Sequence, residues 1–207
     1  MNFEKTIKNF KTEIMKKFLA LAVAVLLAFG ASAQVQKGEM ILGVNVGLGN
    51  ISYPAMKALP PITLEYEHGV YEGLFGIDGF CLGVGGILAY TQAKDVVDIA
   101  VEDVVELGSL GYRYSSVIAA AKGSFHYDFS DLEELDIYAA VSLGWDFVTA
   151  RKIGNWPSDY EDGNVSASGL FYDVSIGARY WFTDFMAANL EAGYGLSWLK
   201  AGINFRF

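Results

Sequence analysis

One cysteine, Cys81, stands among the 207 residues, so neither a disulfide framework nor a multi-thiolate metal site can be built. Histidine is nearly as scarce: with only His68 and His126, a two-histidine metal site would need two distant positions to meet. Basic residues are outnumbered 24 to 15, giving a formal charge of −9, the wrong sign for a phosphate backbone. Long apolar runs are missing too. The longest, Phe18 to Phe29, has twelve residues, whereas a membrane-spanning helix needs roughly 20. What the chain does have is 53% apolar residues, 23 glycines and 14% aromatics, which excludes a disordered chain and is unusual for a water-soluble α/β enzyme.

The short apolar run has its own explanation. Lys16 and Lys17 precede it and Ala31-Ser32-Ala33 follows it, the layout of a secretory signal peptide. Residues 15–33 form the signal proper, cleavage is expected after Ala33, and residues 1–14 read as an over-extended gene start ahead of Met15. The mature part, 34–207, is then one domain. It keeps 10 basic and 22 acidic residues, a net charge of −12. No cysteine stands at the end of the apolar run, which argues against a lipid anchor at the new N-terminus.

A chain this apolar without a spanning helix must place its apolar side chains differently, and it does so with a period of two. Successive side chains of a strand point to opposite faces. From Ile137 to Phe147 the odd positions read Ile, Ala, Val, Leu, Trp, Phe, and the even positions read Tyr, Ala, Ser, Gly, Asp. Similar splits begin near Leu42, Ile62, Leu82, Val117, Leu170, Leu190 and Leu199, giving eight strands, although Ile87 breaks the pattern in the third. The connections alternate between long and short, with the long ones around residues 91–111 and 149–166. Aromatics gather at strand ends: Phe125, Tyr127, Tyr180, Phe182, Phe185, Phe205 and Phe207 at the short-turn end, and Tyr90, Tyr112, Trp145, Tyr172 and Tyr194 at the long-loop end. Long loops on one side, tight turns on the other and two aromatic girdles are the features of a bacterial outer-membrane barrel.

The Ala33 site, the eight alternating segments, the stretches Ala121 to His126 and Gly193 to Leu199, and the terminal Asn204-Phe205-Arg206-Phe207 resemble the small eight-stranded outer-membrane barrels of the OmpX/OmpA type. The resemblance spans the mature chain and rests on pattern rather than on invariant chemistry. It implies an all-β, antiparallel up-and-down transmembrane barrel in a Gram-negative outer membrane. It also implies that Phe205 and Phe207 signal to the barrel-assembly machinery.

In such a barrel the polar faces line a lumen just wide enough for side chains to fill. Glu65, Glu67, Asp146, Asp173 and Glu191 are expected there opposite Lys122, Arg179, Lys200 and Arg206, as a salt-bridged core. Across the Phe182 to Phe185 turn, Arg179 and Glu191 are expected to touch.

Sites of chemistry are harder to find. Ser124, His126 and Asp128 share one face, but same-face neighbours lie ~6.6 Å apart along a strand, whereas a nucleophile and its base need about 2.6–3.2 Å. They read as interfacial polar residues near a turn, and His68 reads as a lumen-rim or turn residue. Asp95 to Glu106 lacks the glycine and oxygen ligands of an EF-hand loop. It is expected as a short amphipathic helix or a projecting hairpin, acidic enough to attract divalent cations near lipopolysaccharide phosphates. The Gly83-Val84-Gly85-Gly86 run sits in a strand and opens no helix, so no nucleotide site is read there.

The reading is therefore a monomeric structural or surface-interaction barrel without catalysis, cofactor or metal. Its expected partners are outer-membrane lipid and lipopolysaccharide, and the barrel-assembly machinery during biogenesis, not nucleic acid. Trp156, Tyr160 and Asp162 mark the loop most suited to partner contact. A lipid-modifying barrel enzyme and a narrow pore are the alternatives, and a soluble lipocalin-like carrier would invert every face.

Overall fold

The structure is a computed structural model that describes residues 35–54, 56–73, 76, 79–100, 106–128, 134–154 and 165–207, without the side chains of 97–100, 106–109, 128 and 165. The expected signal peptide and the loop residues Trp156, Tyr160 and Asp162 lie outside the described residues.

Wherever apolar and small or polar residues alternate, the chain is extended. The strands are β1 (Met40–Asn50), β2 (Lys57–Ala58), β3 (Ile62–Glu72), β4 (Phe80–Ala100), β5 (Glu106–Asp128), β6 (Leu135–Gly154), β7 (Val165–Thr183), β8 (Met186–Tyr194) and β9 (Ser197–Arg206). Each long strand pairs antiparallel with its sequence neighbours, and β1 pairs with β9 from Ile41↔Arg206 to Asn50↔Ser197, which closes the sheet. The result is a closed eight-stranded antiparallel barrel. The ninth strand, β2, has two residues and only adds to the outer part of β4.

Closure solves a specific problem. An open sheet has two edges of unpaired backbone groups, and a cylinder has none. Here the seam is sealed to its last residue, with the Phe207 amide donating to the Met40 carbonyl (2.9 Å) and the Met40 amide to the Phe207 carbonyl (3.2 Å).

Facing follows the alternation. The outer wall carries Leu42, Val44, Leu64, Leu88, Val141, Leu143, Val174 and Ile176, all exposed. Ile87, which broke the sequence pattern, points inward and is buried among apolar neighbours.

Two differences from the sequence reading concern length. β4 and β5 run for 21 and 23 residues, about twice the 9–11 that a spanning strand requires. They remain paired to Asp98↔Ser109, so the described residues 95–100 and 106 extend a projecting hairpin and are strand rather than helix. β6 follows β5 out to Leu110↔Gly154. β2, β4, β5 and β6 thus make a sheet that projects beyond the rest of the barrel at the long-loop end. On its lumen side, Tyr53 stacks on Tyr114 with 6.0 Å between ring centroids. Burial, with the Asp146 carboxylate second, pushes the Tyr53 phenol above its usual pKa.

Candidate functional site

Among the described residues the lumen gathers most of the buried charged side chains, and it is filled in three layers. The floor, at the short-turn end, is apolar: Val35, Ile41, Cys81, Trp181 and Ala187 pack together. Val35 arrives there because the chain ahead of β1 folds under the barrel, where the Gly38 amide donates to the Gly69 carbonyl (2.8 Å). Gly69 is required at that spot, since a Cβ there would lie 2.2 Å from the Gln36 carbonyl oxygen. The roof is also apolar, formed by Ile87, Ala89, Ile118, Phe171 and Leu196.

Between floor and roof lies a charged layer. Toward the roof, Lys122 Nζ reaches Glu65 (2.6 Å) and Glu191 (3.4 Å), while Lys200 reaches Asp173 (3.4 Å) and pairs with Glu191. Toward the floor, Arg179 binds Glu67 and also Asp136 (3.3 Å), and His126 stands between the same two carboxylates. Tyr138 separates the two groups. Its hydroxyl lies 2.9 Å from both Asn189 Oδ1 and Glu191 Oε2. The Arg179 guanidinium sits 4.4 Å from its ring centroid and Lys122 Nζ lies 5.2 Å away, within cation–π range. Asn45 donates to Glu65 (3.0 Å) and accepts from Asn189 (2.9 Å).

Glycine makes room for this layer. A Cβ at Gly177 would stand 2.3 Å from Tyr138 Cζ, and one at Gly83 would stand 2.4 Å from Glu67 Oε1. In the Gly83–Gly86 run, Gly83 is thus where β4 yields space to the Glu67 carboxylate from β3, while Gly85 lets the Tyr66 backbone approach.

Of the charged residues singled out from sequence, the structure brings together Glu65, Glu67, Lys122, Asp173, Arg179, Glu191 and Lys200. Asp146 stands apart, above the roof, where it accepts from Ser116. Arg206 lies at the floor's outer side, 4.3 Å from the Trp181 ring, with its guanidinium donating to the Asp184 carbonyl. The expected Arg179–Glu191 contact is not formed. Register sets Arg179 against Asn189 and Glu191 against Gly177, so Arg179 pairs instead with Asp136 beside it on β6 and with Glu67 across the lumen, and Glu191 with Lys200 beside it on β9 and with Lys122 across the lumen.

Ser124 and His126 are not interfacial residues. Both are buried, with Ser124 Oγ donating to Glu67 (2.7 Å) and His126 bridging Glu67 and Asp136. An imidazole with both nitrogens on carboxylate oxygens must carry both protons, so His126 acts as a fourth cation rather than as a base for Ser124. His68 is half-buried, opposite Met40 and Val84, so it lies on the wall side of β3. Asp136, Tyr138, Asn45 and Asn189 were missed from sequence. Parity signals them, since each falls on the inward face of its strand.

In chemical terms this is a closed, self-satisfied ion network. Seven strands supply its side chains and β4 supplies its gaps. It holds the strands at one register, because a slip of one residue would turn every charge on that strand outward.

No protein-family model and no curated protein matches the chain. Among solved structures it is similar to the N-terminal β-barrel domain of Pseudomonas aeruginosa OprF, at 15% identity over 83% of this chain and 98% of that one, with a TM-score of 0.43. It is also similar to the attachment invasion locus protein Ail of Yersinia pestis in complex with the heparin analogue sucrose octasulfate, at 18% identity over 83% and 100% and a TM-score of 0.41. A de novo designed transmembrane β-barrel matches at 15% identity over 83% and 98%, with a TM-score of 0.37.

Proposed function

We propose that this chain is an integral outer-membrane β-barrel that is sealed along its axis and acts through its outer surface, in a structural or surface-interaction role, without catalysis. One observation carries the reading: the molecule is inside out for water. Ile176 and Leu170 are 67% and 64% exposed on the wall, while Arg179 and Lys200 are 1% exposed in the lumen. A soluble monomer rarely shows contiguous apolar surface beyond a few hundred Å². A belt running around a cylinder fits acyl chains, and backbone satisfied by closure fits a solvent without hydrogen-bonding groups.

The three-layer filling favours a sealed barrel over a narrow pore, since any ion would have to displace the apolar floor and roof. The lipocalin-like alternative needs an apolar lumen, and this one holds five carboxylates from Glu65, Glu67, Asp136, Asp173 and Glu191. A lipid-modifying activity would need a nucleophile within reach of lipid, and Ser124 is walled in against Glu67. The exposed Phe207 at the seam is the residue best placed to present a C-terminal assembly signal.

Heat-modifiable gel migration tests the reading. Protein extracted from outer membranes should migrate differently before and after boiling and should require detergent to remain dispersed. A mature chain that stays soluble without detergent would overturn the assignment.

A further inference from the structure

The barrel's few basic residues are not scattered. Residues 34–207 contain ten. Lys122, Arg179 and Lys200 are in the lumen, while Lys37 and Arg206 are at the short-turn end. The other five, Lys57, Lys94, Arg113, Arg151 and Lys152, all fall on the projecting sheet.

Register aligns four of them. Lys57 pairs with Lys94, Lys94 with Arg113, and Arg113 with Arg151, one residue from each of β2, β4, β5 and β6 in a single cross-strand row. Directly paired residues point to the same side. Counting by twos down β6, from Arg151 through Thr149 to Phe147 and Trp145, puts the row on the lipid-facing side. Lys57, Lys94 and Arg151 are exposed and Arg113 is half-buried with its Nε unpartnered. Asp95 is next to the row in sequence but pairs with Tyr112 on the opposite face.

Like charges set directly opposite each other destabilise a sheet. Three such contacts in succession, where residues 34–207 carry a net charge of −12, call for an anion. Height identifies which anion. The row lies four residues beyond Tyr90, Val117 and Phe147, the row that ends the continuous apolar belt before the polar row Gln92, Ser115 and Thr149. That is ~13 Å along strands tilted by about 45°, or about 9 Å above the belt, past the acyl chains and at the outer side of the headgroup layer.

We propose that Lys57, Lys94, Arg113 and Arg151 form a binding row for the phosphate groups of a lipopolysaccharide headgroup in the surrounding leaflet. The arginines supply planar forks matched to phosphate and the lysines supply point charges. The proposal rests on the membrane reading above and specifies where the barrel grips its lipid.

The test is isothermal titration of the full mature protein, refolded in zwitterionic micelles, with diphosphoryl lipid A in the same detergent. Dephosphorylated lipid A and inorganic pyrophosphate serve as separate arms. Diphosphoryl lipid A should bind saturably and at least about tenfold more tightly than either comparator, given a contribution of about a factor of five per cation near an anionic surface. The K94Q/R113Q/R151Q variant should lose roughly a hundredfold in affinity, whereas K152Q, on the lumen side of the same sheet, should bind like the wild type. Should the triple variant not fold, R151Q alone should cost about fivefold.

Equal binding of the dephosphorylated lipid, wild-type affinity in the folded variants, or pyrophosphate binding as tight as lipid A would each overturn the proposal. Those outcomes with normal heat-modifiable migration leave the membrane assignment standing; loss of the detergent requirement removes both.

Discussion

Arg179→Met separates a structural ion network from decorative charge. Arg179 is buried against the Tyr138 ring and bound to Glu67 and Asp136. Methionine keeps much of the stem's packing and deletes the guanidinium. Two carboxylates then face His126 alone, and removing one partner of a buried pair costs about 3–5 kcal/mol. Glu67→Gln in the same background removes one of the stranded charges while leaving Ser124 an acceptor at 2.7 Å. The double variant should therefore be more stable than R179M, with a favourable coupling of about 1–3 kcal/mol in the double-mutant cycle. Urea unfolding in lipid vesicles, followed by tryptophan fluorescence, measures all four corners of the cycle. An R179M cost below about 1 kcal/mol, or strictly additive losses, would show that the lumen charges do not act as one network.

Lysine scanning along β6 probes the wall: Val141→Lys, near the middle of the belt, should cost about 2–4 kcal/mol, and Ile137→Lys and Phe147→Lys, nearer its edges, about 0–1. A flat profile across the three would contradict a lipid-facing wall. Ser142→Lys is not a benign control, because Ser142 is buried beside Lys122 and Asp173 in a filled lumen, and it should fail to fold by retention of the unshifted gel band. Val35→Ala should lower stability by about 1–2 kcal/mol in the same vesicle assay, since the floor loses two fully buried methyl groups. In planar bilayers the wild-type protein should show no steady conductance, and a stable open level would refute the three-layer seal.

The period-two alternation made the barrel legible because lipid on one side and charge on the other impose opposite chemistry on neighbouring residues. Leu143 and Ser142 differ for that reason alone. Lengths were less legible. Once strands leave the membrane both faces meet water, the alternation fades, and β4 and β5 continue through Val96 and Gly111 with no period to announce it. The lumen partners were partly hidden for a different reason. Parity tells which side chains point inward, but a narrow barrel lets them meet across its diameter, so pairing depends on stagger, which no local pattern encodes. Glu67 with Arg179 is such a pair, 112 positions apart in the chain. The basic row was invisible for the same reason, since Lys57, Lys94, Arg113 and Arg151 become neighbours only through register.

The seam between β1 and β9 has a consequence for how the molecule must be made. The strand that zips up the cylinder, Ser197–Arg206, follows every other strand of the barrel in the chain, and its partner β1 precedes them all. No partial product can be a smaller cylinder. A polypeptide that stops after Tyr194 carries two raw borders, β1 and β8, with nothing in a hydrocarbon phase to cap them. Insertion of this chain is therefore an all-or-nothing event, and shortening its tail by ten residues should abolish the folded form rather than trim it.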